Sequence, residues 1–280
     1  VLQLAGWSVD AVSVGGFETC IRLPAMQLCF DIGRCPPAAV EASRVLFTHA
    51  HVDHMGGVIH HCAQRDLSGR GAPEYWVPAE SAEAFEEMLQ SWRRLSHSAL
   101  PCRVRAVRPG DRVPIGGGRV VEVFRAVHRI PTVGYALHVE RRRLRADLVG
   151  LSGPEIAARR EAGEVVHEVF SVPEVAFCGD TTIDVFDREP IVRKVRLLIL
   201  EVTFFGDRVS VQQARGGGHV HFDEVVERLD RFDNEVVLLT HASRRHHSEL
   251  RALFEQGIPA AQRAKFRVLE PGQPWVSGPT

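Results

Sequence analysis

Between positions 48 and 54 the chain reads Thr48-His49-Ala50-His51-Val52-Asp53-His54. Four potential ligands lie within six residues, directly after the apolar run Val45-Leu46-Phe47. Imidazole nitrogen and carboxylate oxygen are donors that suit zinc or a similar borderline divalent ion. Alternate residues of an extended segment share a face, so His49 and His51 point the same way. A turn after them can aim Asp53 and His54 at a second ion. Packed together without a metal, such groups are left unsatisfied or repel one another, and that disfavours the plain alternative of a histidine-rich surface loop.

Several elements must hold that run in place. Short apolar or alternating stretches at Ala11–Val14, Cys20–Leu23, Gln27–Asp31 and Val45–Thr48 read as strands, broken by Gly15-Gly16 and Pro24. A helix is expected from Gly56 onward. Glu74–Val77 reads as a strand, and Pro78 to Leu95 has helical spacing through Ala82, Phe85, Met88, Leu89 and Trp92. Cys102–Arg108 and Arg119–His128 read as strands of a second sheet. Arg141–Glu168 is the least regular stretch, with the basic run Arg141-Arg142-Arg143-Leu144-Arg145 and a Gly153-Pro154 break. Glu174–Cys178, Val195–Leu200 and Glu235–Thr240 return to buried strands, with helices expected at Phe222–Phe232 and Glu249–Gln256. No internal repeat is evident at solenoid periods. The pattern favours one α/β domain over 1–280.

Composition narrows the class. The chain has 280 residues, 45% of them hydrophobic and 25% charged, which excludes a disordered or coiled-coil description. Its formal net charge of -1 gives no overall pull toward nucleic acid or an anionic membrane. Nearly all basic residues are arginine, the lysines being Lys194 and Lys265. Cys20, Cys29, Cys35, Cys62, Cys102 and Cys178 include no C-x-x-C pair and read as free thiols. No apolar run approaches a membrane span. The N-terminal residues lack the pattern of a signal peptide, so a cytoplasmic location is expected.

The H-x-H-x-D-H run resembles that of the metallo-β-lactamase superfamily of hydrolases, which implies a four-layer αβ/βα sandwich with a metal site along one edge of the sheets. The resemblance implies three further ligands at strand ends: His128 closing Val120–Val127, Asp180 in Phe177-Cys178-Gly179-Asp180-Thr181, and His241 after Leu238-Leu239-Thr240. By analogy His49, His51 and His128 hold one divalent ion, Asp53, His54 and His241 hold another, and Asp180 bridges. Zinc is the first expectation for the pair, with manganese or iron suited to the same donors. Within the superfamily the chain is similar to the tRNA 3′-processing endonucleases, tRNase Z or ribonuclease Z, most of all to the short plant-type form. Gly15-Gly16-Phe17-Glu18-Thr19-Cys20, Phe30-Asp31-Ile32-Gly33-Arg34-Cys35-Pro36, Gly134-Tyr135 after His128, Gly179-Asp180-Thr181, Glu201-Val202-Thr203-Phe204 with Ala214 and His219, and Thr240-His241-Ala242-Ser243-Arg244-Arg245 carry that similarity. A Gly-His-Thr-x-Gly motif of glyoxalase-type relatives is absent around His128.

On this resemblance the chain is a metal-dependent phosphodiesterase that removes 3′ trailers from precursor tRNA. Two ions roughly 3.5–4 Å apart can clamp the attacking and leaving oxygens and supply hydroxide at neutral pH. Asp53 orients that nucleophile or takes its proton, and His219, oriented by Glu201, protonates the leaving 3′-oxygen. Ser243, Arg244 and Arg245 have the hydroxyl and guanidinium groups that suit phosphate. Arg141, Arg142 and Arg143 stand where family members carry a protruding RNA-gripping arm, here short, at about 141–168. His246 replaces the tyrosine of the family's last motif. His221, His246 and His247 read as bystanders. The family also implies a homodimer. The alternative, favoured by the neutral charge and short arm, is a same-fold hydrolase of a small phosphodiester or lactone. A metal-bound interaction module that has lost catalysis is disfavoured, because every implied ligand and the acid pair are present.

Overall fold

The computed structural model describes residues 1–270. Residues 271–280 of the expected domain lie outside the described residues. Two seven-stranded sheets face each other. The first runs in chain order through β1 (Leu2–Leu4), β2 (Trp7–Val14), β3 (Glu18–Leu23), β4 (Leu28–Phe30), β5 (Arg44–Leu46), β6 (Glu74–Pro78) and β7 (Arg103–Val107). The second runs through β8 (Arg112–Gly116), β9 (Arg119–Arg125), β10 (Val133–Leu144), β11 (His167–Phe177), β12 (Leu197–Glu201), β13 (Val236–Thr240) and β14 (Phe266–Val268). Both sheets share one plan. The first four strands pair antiparallel, and the fourth to seventh pair parallel.

Parallel neighbours need crossovers, and these supply the outer layers. Beside the first sheet lie α1 (Val52–Met55), α2 (Val58–Leu67) and α3 (Ala82–Ser96). The tip connecting β10 to β11 carries α4 (Gly153–Glu161). Beside the second sheet lie α5 (Asp184–Arg188), α6 (Pro190–Lys194), α7 (Val211–Gly217), α8 (Phe222–Val226) and α9 (Leu250–Gly257). Leu4, Ile21, Phe30 and Trp76 of the first sheet interleave with Tyr135, Phe177, Leu197 and Leu238 of the second, forming the middle of the sandwich. Val58 and Cys62 of α2, with Phe85 and Leu89 of α3, cover the first sheet's outer face. Phe186, Phe222 and Phe254 from the helices cover the second. This is the four-layer sandwich that the resemblance implied. Among the described residues no helix is long and apolar enough to cross a membrane.

Four expectations are corrected. Arg103–Val107 closes the first sheet, parallel to β6, rather than joining the second. The helix expected over Phe222–Phe232 stops at Val226 and is followed by a separate 3-10 turn at Leu229–Arg231. Strand β9 ends at Arg125, so His128 lies three residues past it. Arg141–Glu168 is not irregular throughout. β10 and β11 stay paired out to Leu144↔His167, whereas β9 leaves at Val139↔Arg119 and β12 joins only at Val175↔Leu197. The outer ends of the two long strands therefore form a two-stranded ribbon beyond the sheet, capped by α4. That ribbon occupies the stretch where the resemblance implies an arm.

Near the top of the first sheet, His61 of α2 is buried against the strands. Its Nε2 lies 3.2 Å from the Ala42 carbonyl and its Nδ1 2.8 Å from the Tyr75 hydroxyl. The carbonyl can only accept, so Nε2 donates and Nδ1 accepts from Tyr75. Burial, with the Arg65 guanidinium nearby, lowers its pKa to about 4. The unfolded chain binds this proton first as pH falls, so the contribution is full above about pH 6.5 and lost on descent through about pH 4. At most ~3 kcal/mol is at stake from this group. Urea midpoints from pH 7 to pH 4.5 should fall less steeply in His61→Gln than in the native chain, and equal slopes would exclude the assignment.

Candidate metal centre

The parallel strands of both sheets deliver their carboxyl ends to one edge. His49, His51, Asp53 and His54 follow β5, Asp180 follows β11, Glu201 ends β12, and His241 follows β13. In open α/β sheets ligands bind outside the carboxyl ends of the strands. The two sheets are sewn together at that edge. Val133 N donates to Thr48 O at 3.0 Å, and Gly15 N donates to Ala242 O at 3.2 Å. The Tyr135 hydroxyl donates to Phe47 O at 2.7 Å. His128 is held by neighbours of the Asp180 loop, with Val127 N on Thr181 Oγ1 at 2.9 Å. Gly179 has φ +62° and faces Thr48 so closely that a Cβ would meet its side chain at 2.6 Å, which requires glycine there.

All seven residues expected as ligands converge. The ligand atoms of His49, His51, His128 and Asp180 lie within 4.8 Å of one another, as do those of Asp53, His54 and His241. Asp180 joins the two groups. Its Oδ2 is 3.7 Å from His49 Nε2, and its Oδ1 is 3.1 Å from His54 Nε2 and 3.4 Å from His241 Nε2. Asp53 Oδ2 is 3.4 Å from His241 Nε2.

The outward ring nitrogens reveal what the inward ones are for. His54 Nδ1 faces Asp31 Oδ2 at 2.8 Å, and His128 Nδ1 faces Gly218 O at 2.8 Å. These oxygens accept only, so both nitrogens are protonated donors. His49 Nδ1 meets Thr48 Oγ1 at 3.0 Å, and that hydroxyl already donates to Asp31 Oδ2. His241 Nδ1 meets Thr203 Oγ1 at 2.9 Å, and that hydroxyl already donates to Glu201 Oε2. In the neutral ring each of the four Nε2 atoms then presents a lone pair inward. Asp180 Oδ1 is buried and accepts no hydrogen bond, although His54 Nε2 stands near it. Converging lone pairs with an unsatisfied buried carboxylate oxygen are the donor set of a metal centre, and the residues fit one.

The electrostatics divide the rings. At His54 burial opposes a charge, but the Asp180 and Asp31 carboxylates outweigh it and raise the pKa well above the ordinary imidazole value, a proton that a bound ion would displace. Burial pushes the pKa of His49 well below the ordinary imidazole value, and it lowers those of His51 and His128. Burial opposes a charge on Asp180, but the His241 and His54 imidazoles outweigh it and hold its carboxyl well below the usual range. Burial likewise opposes a charge on Asp53, which His241 and His54 overcome when their Nε2 atoms carry a proton, the form a bound ion would replace. Two residues at the centre also carry backbone strain. Asp31 has φ +55° and His241 φ +64°, a region that non-glycine residues rarely occupy.

Beside the ligands, Glu201 Oε1 lies 2.9 Å from His219 Nδ1. Glu201 is fully buried and also accepts from Thr181 N, Val220 N and Thr203 Oγ1. Burial disfavours the charged form of His219, but the Glu201 carboxylate outweighs it and raises the pKa to about 8. The expected pair is thus assembled, with the imidazole's far nitrogen left for a reacting group. The residues expected to bind substrate are more dispersed. Ser243 Oγ caps the turn that follows it, accepting from Arg245 N at 3.5 Å, and the Arg245 carbonyl accepts from Arg208. Arg141 pairs with Glu174 at 2.6 Å and Arg143 with Glu168 at 2.7 Å, whereas Arg142 makes no ion pair among the described residues. Eight residues of strand separate Arg141 from Val133 at the centre, ~26 Å. His221 caps α8 and His246 packs beside Phe205, so both are structural. Sequence reasoning missed Asp31, Thr48 and Thr203, which orient the ligands. An aspartate ending one parallel strand beside the strand that leads into the histidine run was the available signal.

The sequence matches the family described as a β-lactamase superfamily domain over residues 32–242. It is 35% identical to tRNase Z TRZ1 of Arabidopsis thaliana over 247 residues, 88% of each chain. It is 32% identical to the chloroplastic tRNase Z TRZ2 of the same plant, over 89% of this chain and 71% of that one. The chain belongs to the β-lactamase superfamily, among its tRNase Z members. The solved structure of the metallo-β-lactamase fold protein YhfI from Bacillus subtilis superposes with a TM-score of 0.61 at 15% identity, covering 94% of this chain and 96% of that one. That likeness supports the fold. Histidine and aspartate clusters capable of metal binding occupy the sheet edge, in keeping with this metal-dependent superfamily.

Asp31 should matter to metal affinity without touching metal. Removing a partner that orients a ligand typically costs 10–100-fold in affinity. Chelator competition on Asp31→Asn should show a loss of about that size, and native affinity would exclude the orienting role.

Proposed function

We propose that the chain is a phosphodiesterase of the tRNase Z type that removes 3′ trailers from precursor tRNA, using two divalent ions per chain, zinc first among them. The observation that carries this reading is the Glu201–His219 pair standing beside two ligand groups that share Asp180. The relatives at 32–35% identity support tRNA as substrate. No comparable support exists for a small phosphodiester or lactone.

His49, His51 and His128 would hold one ion, Asp53, His54 and His241 the other, and Asp180 both. Bound there, the ions supply Lewis acidity at the phosphate and lower the pKa of the attacking water. The chain's own groups do the rest. Asp53, its carboxyl held below the usual range, orients the attacking water or takes its proton. His219, held protonated at neutral pH by Glu201, gives its proton to the departing 3′-oxygen. Thr203 fixes both His241 and Glu201 through one hydroxyl and so sets the acid's position relative to the ligands. Arg142 on the arm, with Arg244 and Arg245 near the centre, offers guanidinium groups to phosphates. Arg141 and Arg143 would have to exchange their carboxylate partners for phosphate. One protein domain, a homodimer and a cytoplasmic location belong to the same reading. They rest on the family resemblance and on the sequence patterning.

Cleavage of a 3′-extended precursor tRNA, with product ends mapped, tests the reading. One metal-dependent cut at the 3′ boundary is expected, abolished by chelator, restored by zinc or manganese, and absent in Asp53→Ala. A metal-loaded protein that leaves the substrate intact would refute it.

The acid has its own test. His219→Ala should lower kcat about 10²–10⁴-fold with little change in KM, and Glu201→Gln should lower it less. An unchanged kcat in His219→Ala would remove that residue from the chemistry.

A further inference from the structure

Phe17 sits in the turn between β2 and β3 with 39% of its surface exposed. Two guanidinium groups rest against its ring. Arg34 Cζ lies 3.9 Å from the ring centroid and Arg244 Cζ 5.1 Å. The three come from separate parts of the chain, and each is tied to the metal centre. Gly15, two residues before Phe17, abuts His241, where a Cβ would stand 3.4 Å from Nδ1. Gly33, just before Arg34, packs on the Asp53 backbone with no room for a side chain. Arg244 follows His241 by three residues in a turn whose Ser243 bridges to Gly15. The cluster therefore stands on the rim of the Asp53–His54–His241 half of the centre.

Neither arginine makes an ion pair among the described residues. Glu18 feels the charge of Arg34 without forming one. Both side chains are exposed. A guanidinium over an aromatic face is held by the ring's quadrupole while its N–H edge stays open. Holding it in advance cuts the entropy cost of binding a ligand there. The open N–H edge suits phosphate oxygens, and guanidinium and phenyl planes both stack on unpaired bases. Exposed arginines that only packed on a hydrophobic ring would serve as well elsewhere on the surface. Two such groups without ion-pair partners among the described residues, anchored through the ligands' own backbone, are placed for something that reaches the centre.

We infer that Arg34, Phe17 and Arg244 form a nucleotide subsite, which takes the phosphate and base of a single-stranded RNA residue adjoining the reacting phosphodiester. This rests on the function proposed above, since it supplies that reaction with a grip on the chain beside the cut.

The test uses metal-loaded protein and three variants, Phe17→Leu, Arg34→Ala and the double variant Arg34→Ala/Arg244→Ala. Fluorescence anisotropy follows a labelled single-stranded oligoribonucleotide across a salt series. Steady-state kinetics compare precursor tRNA with bis(p-nitrophenyl) phosphate, which has no neighbouring nucleotide. The double variant should bind the oligoribonucleotide about tenfold more weakly or worse, and its log–log salt slope should shrink by ~0.7 for each lost phosphate contact. Phe17→Leu should weaken binding with a smaller change in slope, because it removes the platform and keeps the charges. On precursor tRNA the loss should appear in KM, and it should exceed the loss on the small diester by about tenfold. Unchanged oligoribonucleotide affinity and slope in the double variant would overturn the subsite, as would equal losses on the two substrates. A native protein that binds the oligoribonucleotide through these residues but does not cut precursor tRNA would refute the proposed function and leave the subsite standing.

Discussion

The fold must hold lone pairs against lone pairs. His49, His54, His128 and His241 each present an Nε2 inward, and Asp180 adds a buried carboxylate among them. Left to local preference, these groups would turn toward water or repel. Each is prevented from doing so at its far end. Asp31 holds the Nδ1 of His54, Thr48 that of His49, Gly218 that of His128 and Thr203 that of His241. Two of these holders are joined, because Thr48 also donates to Asp31. The tautomer of each ring is thus set by a neighbour one step further out, three of them just past strand ends and the fourth, Gly218, at the end of α7.

The strand plan explains why such neighbours are available. In each sheet four antiparallel strands give way to a parallel run, and only parallel strands place successive carboxyl ends on one edge. Asp31 after β4 and the histidine run after β5 are therefore adjacent on the first sheet. Asp180, Glu201 and His241 are adjacent on the second. The interleaved aromatic and aliphatic side chains between the sheets bring the two edges together. The positive φ of Asp31 and His241 is a local cost borne at the two places where the chain must leave a strand and immediately aim a side chain.

The ligands were legible because donor chemistry and spacing are written in one dimension. Four donors in six residues after an apolar strand are visible without coordinates, and the resemblance they carry pointed on to Asp180 and His241 after strand-like runs. His128 was found although its strand ends earlier than the periodicity suggests, since the resemblance pointed to the residue rather than the boundary. The orienting residues were harder. Thr203 is an ordinary β-branched residue until β12, β13 and the His219 loop bring three partners to its hydroxyl. The sheet membership of Arg103–Val107 was misread because alternation reports a strand, not its neighbour. The shared plan of the two sheets left no repeat in the sequence, since strand order is preserved by packing that many side-chain sets satisfy. The arm was misjudged as irregular because a charged two-stranded ribbon lacks the apolar face that marks strands.

Charge placement gives the architecture a direction. A chain of net charge -1 exerts little overall attraction on a polyanion, so any local attraction comes from arginines that lack a counter-charge. On the arm most are compensated internally: Arg141 by Glu174, Arg143 by Glu168, Arg145 by Asp147 and Glu164, and Arg159 by Glu164. Exposed pairs of this kind add little stability, yet they cancel the field at a distance. Arg34, Arg129 and Arg244 at the rim have no such partners among the described residues, and Arg129 is close enough to act on His51 and His219. The arginines without ion-pair partners therefore stand at the rim of the centre, beside its buried carboxylates, whereas those of the ribbon are mostly paired.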